Sequence, residues 1–595
     1  MVGEPGGNPE TSAEGHSAIR DEPADRSLAA DENFYRFAQA AWPATTVGHR
    51  SAFEEAERRA SKILVQTAAA LGVPPRADGE PRAARAFYDR LLRAAPGEST
   101  RHFVAGQLLE IEAIDTLASM AAWFSRPGSL VRSPIGFVFG PCGSHPPRRA
   151  MHVQVCVGSD FRRRRAHAPS EASVLDDEAV EEAVSRALAE IATGGPSSGT
   201  TTPVSRAALS DAIPEYPWDA ALSSAGVGFG HLLMLAEPDR IRAVARHFSS
   251  TALATWKAFA RARIRRCAAD VDAAISQPVA AARLTASLYP GAFADGVVQS
   301  TRAAESFAVR ELFVQVRGAF VDMVERSTVL ELEARLQLVR WLTDLSLDVG
   351  EGCSDNRAPS SADPDADPLG VLSFRRADQW RAGMASIGQP LPITEFRPLF
   401  YTAAAAYEAD FNAVMISPAL VCEPFFCGAT EPATTYGSLG AIIGHEIAHA
   451  ALAGLGIGRH AASPAVQAWW RGLCGQVRQR YQLEAMSGGS PAIGEARIVE
   501  EVCDRLGLAA AFGAFVADTD RTVTPTGDAR RLHKRVFLAW ARTWFNWTPS
   551  GDAPYASRET RTNEVVRDID GWYDAFAVRD GAAMYVPAHA RLRPL

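Results

Sequence analysis

The chain has 595 residues, enough for more than one hydrophobic core and for roughly two to four domain-sized units. Its 47% hydrophobic and 22% charged content is that of a globular protein, and a net charge of −8 with no large basic block argues against nucleic acid as a partner. No apolar run is long enough to span a bilayer, so no membrane partner is expected.

The N-terminus is polar and acidic and lacks the apolar stretch of a secretory signal. The eight cysteines are scattered and form no C-x-x-C, so reduced thiols and a cytoplasmic location are expected. Residues 1–30 are rich in Gly, Pro, Glu and Ser and should be disordered. Order is expected from Asp31, where Phe34, Tyr35, Phe37 and Trp42 form an aromatic cluster. Helical periodicity follows over Ser51–Leu71, Arg82–Ala95 and Ser99–Phe124. The next stretch is broken by Pro and Gly and then turns β-like in MHVQVCVG, which predicts a small sheet or hairpin. Arg162–Arg165 reads as a solvated basic run and 193–203 as a flexible loop.

Helices are predicted again at Leu175–Ile191, Asp239–His247, Ala252–Ile275 and Ala303–Asp322. The segment 351–370 reads as a linker. Beyond it, Phe400–Phe426 mixes extended stretches such as FNAVMIS with a turn at Glu423-Pro424. Pro464–Gln482, Gly494–Phe515 and Ala529–Phe545 are helical. The expected fold is mainly α with a small β element beside the functional site. The Trp469-Trp470 pair reads as packing, and Cys422 and Cys427 as buried thiols.

The stretch YGSLGAIIGHEIAHAALAGL, Tyr436–Leu455, carries the chemistry. It presents His445, Glu446 and His449 as H-E-x-x-H. On a helix, positions i and i+4 share a face, so both imidazoles can bind one metal ion, with Glu446 beside its open position. Two histidines leave a tetrahedral zinc one protein ligand short. The candidates lie in ARIVEEVCDRLGLAAAF. Glu500 has Asp504 one turn on, which can hydrogen-bond the free ring nitrogen of a ligating histidine. Glu501 is the rival, without such a partner.

Together these residues resemble the neprilysin family of zinc metallopeptidases. YGSLGAIIGHEIAHA is similar to that family's Y-G-G-I-G-x-V-I-G-H-E-I-T-H, and EEVCDRLGL to its E-N-x-A-D-x-G-G-L. NFYRFAQAAW, RGLCGQVRQRYQ, FLAWARTWF and DAFAVRDGAAMYVP also have counterparts. The resemblance implies Glu500 as third ligand and Asp504 as the partner of a zinc histidine, with one zinc ion per chain. It implies a two-lobed fold in which a thermolysin-like catalytic lobe with a small sheet faces a helical lid across a central cavity. On this reading 31–350 is the lid lobe, its first helical segment able to pack on the catalytic lobe, and 371–595 is the catalytic lobe.

Three positions depart from the family. Ala404 stands where an asparagine holds substrate backbone. His449-Ala-Ala-Leu452 lacks the carboxylate that partners the second histidine. DAPYASR aligns with H-S-P-x-x-x-R, so Arg558 keeps the substrate-gripping arginine while Asp552 replaces the oxyanion-stabilising histidine. The implied function is zinc-dependent hydrolysis of an amide bond in short peptides, with Glu446 as general base, Arg558 positioning the substrate and Tyr407 lining the cleft. The alternatives are a tailoring enzyme acting on one dedicated peptide or amide, and a non-enzymatic peptide binder that would have no use for Glu446.

Overall fold

The computed structural model describes residues 28–41, 51–71, 79–143, 147–156, 172–193, 201–228, 230–293, 303–350, 367–395, 399–428, 431–457, 462–485, 494–522, 528–545 and 556–595. Residues 1–27, Trp42, the basic run at 162–165, most of the loop at 193–203, the linker segment 351–366 and Asp552 lie outside these.

The periodic segments form helices with closely matching ends, including Ala52–Ala70, Glu80–Arg93, Pro238–Ser250, Leu253–Ala274, Ala303–Arg326, Pro464–Ala485, Glu495–Thr522 and Asp528–Thr543. Local chemistry sets several starts. Ser51 and Glu54 form a reciprocal capping box, and Pro238 occupies a first-turn position where no N–H is needed. The long helix expected over Ser99–Phe124 is two helices, Arg101–Glu112 and Leu117–Ser125. The Thr116 hydroxyl accepts from Ser119 N, which starts the second helix and breaks the run.

Among the described residues, seven short strands form two sheets: β1 Ile135–Cys142, β2 Arg148–Val155, β3 Thr201–Val204, β4 Leu233–Ala236, β5 Ser346–Asp348, β6 Ala405–Glu408 and β7 Ala413–Ile416. The first sheet has the order β1-β2-β4-β3 and contains the predicted MHVQVCVG strand. The second has the order β5-β7-β6, so β6 lies at an edge. In it β6 and β7 run antiparallel, from Ala405 opposite Ile416 to Glu408 opposite Ala413.

The described residues bury two hydrophobic cores. One contains the H-E-x-x-H helix and draws on Ala30 to Ala56, Val309 to Val349 and Val414 to Leu592. The other draws on Ala60 to Phe293 and on Leu369 to Ala419. The mainly helical fold is therefore as expected, but the cores do not divide at 351–370. The helix Ala303–Arg326 and strand β5 pack with the metal-site core, and the helix Pro368–Ala385 packs with the other. The polar composition of 351–370 marks a connection, whereas core membership follows the apolar face of each helix. The N-terminal helix Phe34–Ala40 packs on the metal-site side, where Phe34 meets Trp572 and Phe576 edge-on at 5.7 and 5.0 Å.

Candidate metal centre

The site is built where two helices cross. The first runs from Pro432 through Gly454, with a π-helical turn at Tyr436–Gly440 just before the histidines. Such turns shift helical register locally and are common at functional sites. The second is Glu495–Thr522. They approach so closely that glycine is required on both. A Cβ on Gly444 would stand 2.4 Å from Gly507 O, and one on Gly507 would stand 2.5 Å from His445 N. Backbone-to-backbone contact at that point puts the first helix's histidines against the second helix's carboxylates.

His445 Nε2 and His449 Nε2 are 3.1 Å apart, and Glu500 Oε2 lies 3.2 Å from the first and 3.7 Å from the second. Ligands bound to one tetrahedral zinc at about 2.0–2.1 Å stand about 3.3 Å from each other. The three observed separations bracket that value. Glu500 Oε2 is buried and accepts no hydrogen bond of acceptable geometry. An orphaned carboxylate oxygen facing two imidazole nitrogens is the donor set a cation satisfies. Among the described residues this is the single group of three or more His, Cys, Asp or Glu side chains placed to hold a metal ion. Cys422 and Cys427 are not part of it.

Outer contacts orient the ligands unequally. His445 Nδ1 donates to Asp504 Oδ1 at 2.8 Å, which leaves its Nε2 lone pair for the metal. Asp504 is fully enclosed and is gripped by Arg561, whose Nη2 donates to Oδ1 at 2.8 Å and whose Nε donates to Oδ2 at 2.5 Å. Arg561 in turn stacks on Trp544, its guanidinium carbon 3.5 Å from the ring centroid. Among the described residues, His449 makes no hydrogen bond through Nδ1, and Leu452, where a carboxylate was missing from the sequence, is buried and apolar.

The electrostatics favour positive charge. Burial pushes His445 down, but the Asp504 and Glu500 carboxylates outweigh it and raise it to about 10. Burial pushes Glu500 up, yet the His445 and His449 rings hold it well below the usual carboxylate range. Burial pushes the Cys503 thiol well up, and it stays a neutral packing group.

The remaining predicted residues divide. Glu446 is buried beside His445, and its charge bears on that ring. Glu501, the rival ligand, points away and bonds Tyr481 and Arg505 instead. Arg558 opens the helix Arg558–Val566, and Arg561, one turn further on, is the residue that reaches Asp504. The sequence reading overlooked Arg561 because the aligned motif ends at Arg558; the spacing R-E-T-R holds both. Tyr407 donates to Asn412 Oδ1 at 3.2 Å, within its own hairpin.

Crossed helices that present two histidines and a glutamate to one point, in a mainly helical protein, have the ligand arrangement of an H-E-x-x-H metal site. Residues 404–592 match the profile of Peptidase family M13. A neutral endopeptidase of Lactococcus lactis subsp. cremoris is 24% identical over 207 residues, 32% of this chain and 30% of that protein. The match therefore spans under a third of that relative's length. In fold the chain is similar to the zinc metalloprotease Zmp1 of Mycobacterium tuberculosis, solved with an inhibitor, with a TM-score of 0.75 at 17% identity over 97% of this chain and 99% of that one. It is also similar to PepO from Lactobacillus rhamnosis HN001, with a TM-score of 0.72 at 14% identity over 95% and 99% of the two chains. The neprilysin-family resemblance and the mainly helical fold that it implied are thus borne out. No described helix is long and apolar enough to cross a membrane.

Proposed function

We propose that the protein is a zinc metallopeptidase that hydrolyses an amide bond in short peptides. The observation that carries this reading is the set of three ligand atoms at tetrahedral spacing, one an orphaned buried carboxylate oxygen, with Glu446 beside them. His445, His449 and Glu500 would hold the ion. When bound, zinc acidifies a water and polarises the scissile carbonyl.

Glu446 accepts the water's proton on its carboxylate and delivers it to the leaving amine. Asp504 keeps the His445 Nδ1 proton in place, and Arg561 keeps Asp504 ionised and immobile. The strand β6 lies at the edge of its sheet, where an extended peptide can add as a further strand. The Ala404 methyl offers no hydrogen bond there, and the Ala404 carbonyl already accepts from Ser417 N at 3.0 Å. That thinner grip on general peptide backbone supports, as a second reading, a single dedicated substrate. The described cysteines are all free thiols, which supports a cytoplasmic location, testable by cell fractionation.

The test is mass-spectrometric digestion of a diverse peptide library by wild type and by Glu446→Gln, with zinc content measured for both. Broad cleavage lost in the variant, with zinc retained, supports a general oligopeptidase. No cleavage by a zinc-loaded wild type points to the dedicated substrate, and full activity in Glu446→Gln overturns the mechanism.

A further inference from the structure

The carboxylate helix carries a second set of buried charges that the chemistry does not use. Glu501 and Arg505 lie one turn apart on its flank, next to Glu500 and Asp504 in sequence but facing elsewhere. Arg505 Nη1 donates to Glu501 Oε2 at 3.0 Å, and Arg505 Nε donates to Asp568 Oδ2 at 2.8 Å. Asp568 also accepts from Arg480 Nη1 at 2.7 and 2.6 Å and from Leu592 N at 2.8 Å. Tyr481, beside Arg480, donates to Glu501. The Glu501, Arg505 and Asp568 side chains are each 2% exposed.

Buried ion networks of this kind are poor sources of stability, because desolvation offsets attraction, and apolar replacement of a whole network is often neutral. What a network supplies is geometric choice. Here consecutive residues of the carboxylate helix are held with opposite polarity by one neighbouring segment: Asp504 by Arg561 and Arg505 by Asp568. The helix Pro464–Ala485 adds its own pair of holds, Arg480 on Asp568 and Tyr481 on Glu501. One contact permits a helix to turn about its axis; two of opposite sign on adjacent residues do not. The Glu500 carboxylate rides about 6 Å from that axis, so a 10° rotation moves it by roughly 1 Å. That exceeds the ~0.2 Å tolerance of a metal–ligand distance.

We infer that Asp568, acting through Arg505 and Glu501, is a positioning residue that fixes the rotation of the Glu495–Thr522 helix and thereby the affinity of the metal site. The inference rests on the zinc reading above, and its test separates the two. Zinc alone is titrated into the full-length protein against a chelating dye, at a temperature well below unfolding, with the zinc-free thermal midpoint recorded alongside. The quadruple variant Arg480→Met, Glu501→Leu, Arg505→Met, Asp568→Leu is expected to fold with its zinc-free midpoint little changed and to bind zinc about tenfold more weakly or worse. Should it fail to fold, Asp568→Asn carries the test with the same expected direction. Asp570→Asn is the control. It removes the pairs from an exposed carboxylate to Arg591 and Arg593 in the same tail, none of them bonded to Asp568, and should leave zinc affinity unchanged. Zinc affinity within twofold of wild type in Asp568→Asn, or an equal loss in Asp570→Asn, overturns the inference. A wild type that takes up no zinc overturns the metal reading itself, and this inference with it.

Discussion

The Gly507→Ala substitution tests whether helix contact sets the metal geometry. The added methyl would lie 2.5 Å from His445 N, 2.8 Å from Gly444 C and 2.9 Å from Ala441 O, all rigid backbone atoms. Restoring an ordinary contact of 3.4 Å at His445 N requires the helices to part by about 0.9 Å there. Overpacking of this kind costs about 1–3 kcal/mol, and the better helix propensity of alanine returns about 1 kcal/mol, so the net loss of stability is about 0–2 kcal/mol. The metal site is more sensitive. Glu500 rides on one helix and both histidines on the other, so parting the helices stretches the 3.2 and 3.7 Å spacings together. A ten- to hundredfold loss of zinc affinity is expected, about 1.4–2.8 kcal/mol.

The assay is competition with a chelating dye, alongside thermal denaturation with and without zinc. Gly513→Ala is the internal control, on the same helix but with its nearest neighbour, Ala319 Cβ, 3.9 Å away. It should be neutral or stabilising by up to about 1 kcal/mol with zinc affinity unchanged. If Gly507→Ala binds zinc as wild type does and melts at the same temperature, the contact does not set the ligand geometry and the reasoning is wrong.

Other outcomes follow from the same geometry. Glu500→Gln should lose more than about a hundredfold in zinc affinity, since outer partners alone carry ten- to a hundredfold. A chelator should then lower the melting temperature of wild type, by the equivalent of about 4 kcal/mol if zinc was present at a thousand times its Kd, and leave Glu500→Gln unmoved. Arg561→Ala strips the buried Asp504 of its counter-charge and should cost about 3–5 kcal/mol in a denaturant titration; Arg558→Ala should stay within about 0.5 kcal/mol. Burial raises Asp177, but hydrogen bonds from Arg261 and Arg265 outweigh it and hold it below its ordinary value. Its stabilising contribution is therefore complete above the unfolded-state pKa of about 3.9 and lost as pH falls through the folded value. Asp177→Asn should destabilise by about 1–3 kcal/mol at pH 7, with the difference from wild type shrinking at acid pH; a constant difference across that range would remove the ion-pair explanation.

The site was legible in the sequence where its chemistry is local. His445 and His449 share a face because they are four apart, and Glu500 and Asp504 do for the same reason; periodicity alone puts each pair in place. Some helix starts were legible where a Ser or Pro fixed the first turn, as at Ser51 and Pro238, whereas the Thr116 cap that splits Ser99–Phe124 was not. The choice between Glu500 and Glu501 was made in the sequence from the Asp504 spacing and the family likeness; in space Glu500 lies beside the two histidines, near the crossing at Gly444 and Gly507. Its neighbour Glu501 faces Tyr481 and Arg505 instead. Arg561 became visible only once the helix Arg558–Val566 was docked against Asp504. Core membership likewise escaped a linear reading, because 303–349 and 368–403 trade sides around the polar connection between them. Short-range spacing fixes which side chains share a helix face; which faces meet depends on the packing of distant segments, and that no local pattern records.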